Sequence, residues 1–453
     1  MKKLLILPLL ASGLLFSQQK EDSLKFREIA YEVLNNSTAY ENLHSLTKDI
    51  GARLSGSEAY EKSVEWSVKR LQEAGAEKVW KQPVMIPVWV RGKESLQIKS
   101  KDGKWTSVKM LSLGNSEGTN GKDLIGEILV VKSFDEFEKL NPSQVKGKIV
   151  VFNYPFKQEF INTMQAYSDA SKYRSRSASI VAKKGGIAVM VRSMSTAYND
   201  IPHTGGMHYE DGTPKIPAIA IGTKTADDLE KLAKTQKIEV KINSECSMKG
   251  EKQSYNVIGE IAGKKSNKVI VVAGHLDSWD VGEGAHDDGS GIVQSIEVLR
   301  TFKKLGLQNN NTIRVICYAN EENGVKGGTT YANELNINTE PHLFAIESDA
   351  GGFSPRGFSL DMSPEKRSQV QGWNKLFLPY QLHDFSVEYG GVDITPLKTN
   401  HKVPLAGLLP DSQRYFDLHH SESDTFEQIN KRELNLGALA MTQLVYMIDK
   451  YWK

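Results

Sequence analysis

Val269-Ile270-Val271-Val272-Ala273-Gly274-His275-Leu276-Asp277 is the stretch on which the fold turns. Its β-branched apolar run reads as a strand buried on both faces, and a glycine and then His-x-Asp follow at once. The same pattern recurs twice. Strand-like residues 313–318 are followed by Ala319-Asn320-Glu321-Glu322-Asn323-Gly324, and residues 343–346 by Glu347-Ser348-Asp349-Ala350-Gly351-Gly352. A further strand is expected at 257–261. Between the first two decisive strands, Ile292, Ile296, Leu299 and Phe302 mark one face of a helix, and a last amphipathic helix spans about 432–451. Strands spaced by helices imply an α/β fold whose sheet has parallel pairs and helices on both faces. Such sheets bind ligands at the carboxyl ends of their strands.

Working outward, residues 114–246 change character. Short strand-like runs at 125–131, 147–152, 186–191 and 216–221 and a helix at 225–235 suggest a separate lobe inserted into the main domain. Before it, residues 79–98 have strand texture punctuated by Pro83 and Pro87. Residues 41–75 read as helical with a break at Gly51-Ala52-Arg53-Leu54-Ser55-Gly56. The second of these helices starts at Ser57 as N-cap, carries Tyr60, Val64 and Trp66, and stops at Gly75. The chain opens with basic Lys2-Lys3, an apolar run at 4–16 and a small-polar exit at Ser17-Gln18-Gln19. That order predicts a signal peptide over 1–18, because the run is shorter than the ~18 residues a spanning helix needs. No cysteine follows the run, so no lipid anchor is expected. The expected layout is a leader at 1–18, a first peptidase part at 19–113, the lobe at 114–246 and the main part at 247–453. The expected location is secreted or periplasmic.

Composition narrows the function. The 453 residues are 25% charged and 39% hydrophobic, which excludes disorder and a multi-span membrane protein. Two cysteines cannot build a disulfide scaffold, although a single bridge between Cys246 and Cys317 stays open in an exported chain. Without Lys2 and Lys3 the chain carries 55 basic and 55 acidic side chains, so nothing electrostatic points to nucleic acid or an anionic membrane.

The acids and imidazoles carry the chemistry. Two more ligand-rich stretches join those after the strands: Gly284-Ala285-His286-Asp287-Asp288-Gly289, opening a helix, and His419-His420-Ser421-Glu422-Ser423-Asp424. Taken singly, each has an ordinary reading. His-x-Asp can be a surface pair, Asp287-Asp288-Gly289-Ser290 a helix N-terminus, Glu321-Glu322 a solvated pair, and His419-His420 a loop. Placed together at one sheet edge, the carboxylates would repel or take up protons unless a cation neutralised them. Imidazole with carboxylate suits Zn²⁺, and one carboxylate can bridge two ions.

On these residues, and on Gly51-Ala52-Arg53-Leu54-Ser55-Gly56-Ser57, the chain resembles peptidase family M28, the di-zinc exopeptidases that group secreted aminopeptidases with glutamate carboxypeptidases. The resemblance covers most of the chain after the leader. It implies a zinc-exopeptidase-type mixed sheet flanked by helices. The inserted lobe resembles a protease-associated domain, on Val145-Lys146-Gly147-Lys148-Ile149-Val150-Val151 and Ile216-Pro217-Ala218-Ile219. Two Zn²⁺ per chain are implied: His275 and Asp349 on one, Glu322 and His420 on the other, with Asp287 bridging. Glu321 would be the general base, and Asp277 would orient His275 through its second nitrogen. His419 is the alternative to His420, and Asp288 to Asp287. His286 is expected as a loop residue, and Asp393 either as an acid near the substrate or as a turn residue.

No His-Glu-x-x-His helix is present. The function implied is a secreted exopeptidase for dipeptides or short peptides, with a homodimer plausible from the family. The alternatives are an aminopeptidase on longer peptides or a non-catalytic binding protein on the same scaffold. A pocket for a free carboxylate needs cations or backbone donors, for which Arg414 and Lys398 are candidates.

Overall fold

The computed structural model describes the backbone of residues 7–452 and the side chains from Lys20 onward. The buried run that opens the reading above is the third strand of a seven-stranded mixed sheet. Its strands are β1 (Lys78–Val90), β2 (Ser247–Ile261), β3 (Val269–His275), β4 (Thr312–Tyr318), β5 (His342–Glu347), β6 (Pro355–Asp361) and β7 (Leu405–Pro410), in the order β1-β2-β4-β3-β5-β7-β6. Strands β4, β3, β5 and β7 run parallel. Every residue of β3 and β4 is buried, as an unbroken apolar run demands when helices cover both faces. Pro83 is tolerated in β1 because that strand lies at the sheet edge.

Helices α1 (Leu7–Asn36), α2 (Glu58–Glu73), α4 (Ser290–Lys304) and α5 (Lys431–Tyr451) cover one face; α3 (Thr163–Lys183) belongs to the lobe. Phe26 and Ile29 of α1, Val64 and Leu71 of α2, and Ile292, Ile296, Leu299 and Phe302 of α4 share one core with α5. On the other face, Ile258, Val271 and Ile316 meet Tyr331 and Leu397 from two short helices, Lys326–Glu334 and Thr395–His401. The expected α/β sheet flanked by helices is therefore present. Ser57 caps α2 as expected, accepting the Tyr60 N–H at 3.1 Å. Asn430 caps α5, accepting from Arg432 and Glu433 at 2.9 and 3.1 Å.

Between Val90 and Ser247 the chain leaves the main sheet and returns. These residues end a long antiparallel ribbon of β1 with β2, which begins at Lys78 against Glu260. The excursion forms an eight-stranded second sheet, packed on α3 on one side and on helix Thr223–Ala233 on the other. Strands Glu94–Lys99, Trp105–Val108 and Leu111–Ser112 pair into this second sheet. The lobe boundary expected at residue 114 thus stands after three strands of the second sheet. Those strands are short and mostly half-exposed, so they carry little periodicity to set them apart from the ribbon.

The basic pair Lys2-Lys3 of the expected leader lies outside the described residues, and from Leu7 the backbone is helical through Asn36. No described helix is long and apolar enough to cross a membrane. Cys246 and Cys317 are both buried and free, so the disulfide left open above is not formed.

The Asn430 cap is testable. Asn430→Ala leaves two α5 N–H groups without their acceptor and should cost about 1 kcal/mol, read as a lower urea midpoint at unchanged slope.

Candidate metal centre

Parallel register brings the acids together. His275 is the last residue of β3 and pairs with Tyr318 at the end of β4, while Ala273 pairs with Glu347 at the end of β5. Glu321, Glu322 and Asp349 follow within a few residues on the same sheet edge. Asp287 arrives from the turn that opens α4, and His419 and His420 from the loop before α5.

The two oxygens of Asp287 face different partners. Oδ1 lies 3.2 Å from Nε2 of His275, and the same nitrogen is 3.4 Å from Asp349. Oδ2 lies 3.1 Å from Nε2 of His420, which is also 3.1 Å from Glu322. His419 stacks on His420 with ring centroids 3.4 Å apart and approaches Asp287 at 3.6 Å. Donor atoms of Asp287, His419 and His420, and separately of His275, Asp287 and Asp349, lie within 4.8 Å of one another. Asp287 Oδ2 and Glu322 Oε1 are buried oxygens that accept no hydrogen bond. Two imidazoles, three carboxylates and orphaned oxygens turned toward one another form a donor set that fits zinc.

The surrounding backbone holds these groups in place. Asp288, the alternative bridge, spends its carboxylate on the N–H groups of His275 (3.1 Å) and Gly291 (2.9 Å). Gly291 has no room for a side chain, since a Cβ would stand 1.9 Å from the Ser348 carbonyl. Asp424 accepts from the N–H groups of His286 (2.8 Å) and Asp287 (3.1 Å), so it orients the peptide that carries the bridge. His275 Nδ1 meets the backbone carbonyl of Asp277 at 3.0 Å, and the Asp277 carboxylate accepts the Glu321 N–H at 3.1 Å. Asp277 therefore touches both His275 and Glu321, but reaches the imidazole mainly through its main chain. Arg53 is fully buried and donates to the carbonyls of Leu276 (2.7 Å), Glu283 (2.8 Å) and Gly284 (2.9 Å). His286 stacks on Phe353 and accepts the Gly352 N–H, as expected of a loop residue.

Crowding perturbs every titration here. Burial and the Asp287 charge push Glu322 up to about 7, and burial with Asp349 pushes Glu347 up to about 8. Burial, with Asp349 and Glu322, holds Glu321 well above the carboxylate range. Burial alone would lower His275, yet Asp349, Asp287 and Glu321 hold it well above the usual imidazole value. The cluster carries more negative charge than its own imidazoles neutralise, which is the condition a divalent cation relieves.

The centre opens into a cleft of about 1100 Å³. Glu321, Glu322, Asp349 and His420 line it, together with Tyr167, Ser171 and Arg174 of α3. The lobe also reaches the candidate donors directly. Thr204 donates its N–H to the His420 carbonyl at 2.9 Å, its own carbonyl lies 3.3 Å from His420 Nδ1, and His203 Nδ1 meets the His419 carbonyl at 2.8 Å. Of the other candidates, Lys398 pairs with Asp361 and Arg414 stacks on Phe353 beside Glu433; Asp393 is fully buried beside the cluster, where burial with Glu347, Asp277 and Asp349 raises its carboxyl well above the usual range, and none of the three lines the cleft. Sequence reasoning gave no role to Asp424, Arg53 or Arg174, although the first two lie in stretches it had singled out.

The profile described as "Peptidase family M28" matches residues 256–445. Human "Carboxypeptidase Q" is 34% identical over 96% of this chain and 91% of its own length. A peptidase M28 precursor from Shewanella amazonensis superposes with a TM-score of 0.90 at 30% identity, covering 96% of this chain and 98% of that one. A zinc aminopeptidase from Bacillus subtilis shares the fold, with a TM-score of 0.66 at 19% identity over 93% of this chain and 97% of that one.

Two outcomes are expected. Chelation should lower the melting temperature and zinc restore it, by about 4 kcal/mol at a thousandfold excess over Kd; an unchanged melt would mean the donors hold no ion. Arg53→Leu leaves three carbonyls unpaired and should cost about 3 kcal/mol or more in chemical denaturation.

Proposed function

The chain belongs to peptidase family M28, and from that premise we propose that it is an exported di-zinc exopeptidase that hydrolyses dipeptides or short peptides. The observation that carries this reading is Asp287, with one oxygen toward His275 and Asp349 and the other toward His420 and Glu322. His275 and Asp349 would hold one ion, His420 and Glu322 the second, and Asp287 both. Bound zinc would polarise the scissile carbonyl and make water acidic enough to attack near neutral pH.

The remaining chemistry belongs to the chain. Glu321 lines the cleft beside the cluster, and its ionised carboxylate would take a proton from water and pass it to the leaving amine. Asp277 positions Glu321 by accepting its N–H and positions His275 through its own carbonyl. The likeness to Carboxypeptidase Q runs through the lobe as well as the main sheet, since it covers 96% of the chain. The 34% identity, against 19% for the zinc aminopeptidase, favours a carboxypeptidase or dipeptidase over an aminopeptidase.

Glu321→Gln should lower kcat by about 10² to 10⁴ while zinc content stays at two per chain by elemental analysis. Full activity in that variant would remove Glu321 as the base. Chelator-sensitive release of free amino acids from a dipeptide, read by mass spectrometry, tests the activity itself. If the zinc-loaded protein releases none from dipeptides or a longer peptide panel, the exopeptidase reading fails.

A further inference from the structure

Far from the sheet edge that carries the acids, three cations share a surface pocket without a countercharge. Lys20 and Arg27 of α1 and Lys375 of the short helix Asn374–Phe377 line a space of about 300 Å³, together with Ser23 and Tyr380 and without any acid. Among the described residues none of these three cations makes an ion pair or a hydrogen bond. The acids nearest in sequence are already claimed. Glu21 and Asp22 pair with Lys450 of α5, Glu28 with Lys25, and Glu32 with Arg300 of α4. Those are all the acids α1 contains, so the even charge of the whole chain hides a local positive excess.

Apolar side chains are interleaved with these cations. Lys20, Leu24, Arg27 and Tyr31 recur at helical spacing, which sets them along one face of α1. Leu24 is 50% exposed and Tyr31 70%. Leu378, between the lining residues Leu376 and Pro379, is also 50% exposed. Large apolar side chains gathered this way mark a surface that meets something other than water. The two sides of the pocket are held together from beneath, where Phe26 of α1 packs edge-on against Phe377 at 5.2 Å and Tyr380 at 5.9 Å. None of the residues lining this pocket lines the cleft of the metal centre.

We propose that this face docks on an anionic lipid surface, with a phosphate headgroup in the pocket and Leu24, Tyr31 and Leu378 entering the boundary of the acyl layer. Each Lys or Arg close to a negatively charged leaflet adds to the attraction, and apolar side chains beside them add burial in the interface. Guanidinium, ammonium and hydroxyl donors around one space suit a phosphate, which offers acceptor oxygens on several sides. Three apolar side chains are too few for a permanent anchor, so the contact is reversible. A second copy of the chain fits this face poorly. A two-fold contact would set the same three cations against themselves. The proposal is independent of the peptidase reading.

The test is co-sedimentation of the zinc-loaded protein with vesicles of phosphatidylcholine alone, and of phosphatidylcholine mixed equally with phosphatidylglycerol. Partition onto the mixed vesicles should be about 10- to 100-fold stronger and should weaken as salt is raised. The combined variant Lys20→Glu, Arg27→Glu, Lys375→Glu should fall to the phosphatidylcholine level with an unchanged melting temperature. Leu24→Ser with Leu378→Ser, which keeps the cations, should weaken partition while its salt dependence stays. Equal partition onto both kinds of vesicle, or a charge-reversed variant that binds as the wild type does, overturns the proposal. Stabilisation of the melt by inorganic phosphate without any vesicle binding makes the pocket a site for a free anion and overturns the docking on lipid.

Discussion

Everything at the carboxyl edge of the main sheet is arranged around one carboxylate that must face two ways. Asp287 touches His275 with one oxygen and His420 with the other, and each of those imidazoles leans on a further acid, Asp349 or Glu322. A carboxylate so placed has no spare lone pair for ordinary structural hydrogen bonds, and Oδ2 indeed accepts none. The chain therefore has to hold Asp287 through its backbone. It does so with Asp424, which accepts the successive N–H groups of His286 and Asp287.

The concentration of negative charge sets the demands on the rest of the interior. Asp277, Asp288, Asp424 and Glu347 are all buried around the donors, and each receives at least one backbone N–H. Backbone donors can hold a carboxylate or its protonated form, and they bring no countercharge that would compete with a cation at the centre. Arg53 is the exception, and even its guanidinium is spent on three carbonyls of the loop that carries the bridge. It ties the turn at 51–57 to the segment 276–284, so this distant turn belongs to the support of the site. Burial lowers the Arg53 pKa, opposed by the charges of Asp424, Asp277, Asp288 and Asp287.

The lobe is joined to this arrangement at several points. Arg91, at the end of the ribbon, pairs with Asp280 through two short contacts and donates to the Ser112 carbonyl of the second sheet. Thr204 meets His420 through both its N–H and its carbonyl, so the ring of a candidate metal donor is turned by backbone from the lobe. Asn115 reaches the Asn323 carbonyl next to Glu322. A segment inserted between two strands of the main sheet thereby closes the cleft and also orients a donor within it.

Much of the site was legible because its signals are local. An apolar strand followed at once by His275, by Glu321-Glu322 or by Asp349 is a pattern within ten residues, and parallel pairing carries all three to one edge. The sequence could name Asp287 and His420 only by family likeness, because each has an identical or near-identical neighbour. Asp288 and Asp287 differ in what surrounds them: the N–H groups of His275 and Gly291 claim Asp288 and leave Asp287 free. His420 and His419 differ by the 3.1 Å approach of Glu322 to the former. Arg174 carried no signal, since no metal-binding pattern surrounds it on α3, and it meets the cleft only by packing of the lobe. Residue type and order thus determined which chemistry the chain can hold, through strand periodicity and the chemistry of its side chains. Direction and company of each side chain were decided by tertiary structure, because contacts made only in the folded chain, such as that of His420 with Glu322, choose among neighbours that the sequence leaves equivalent.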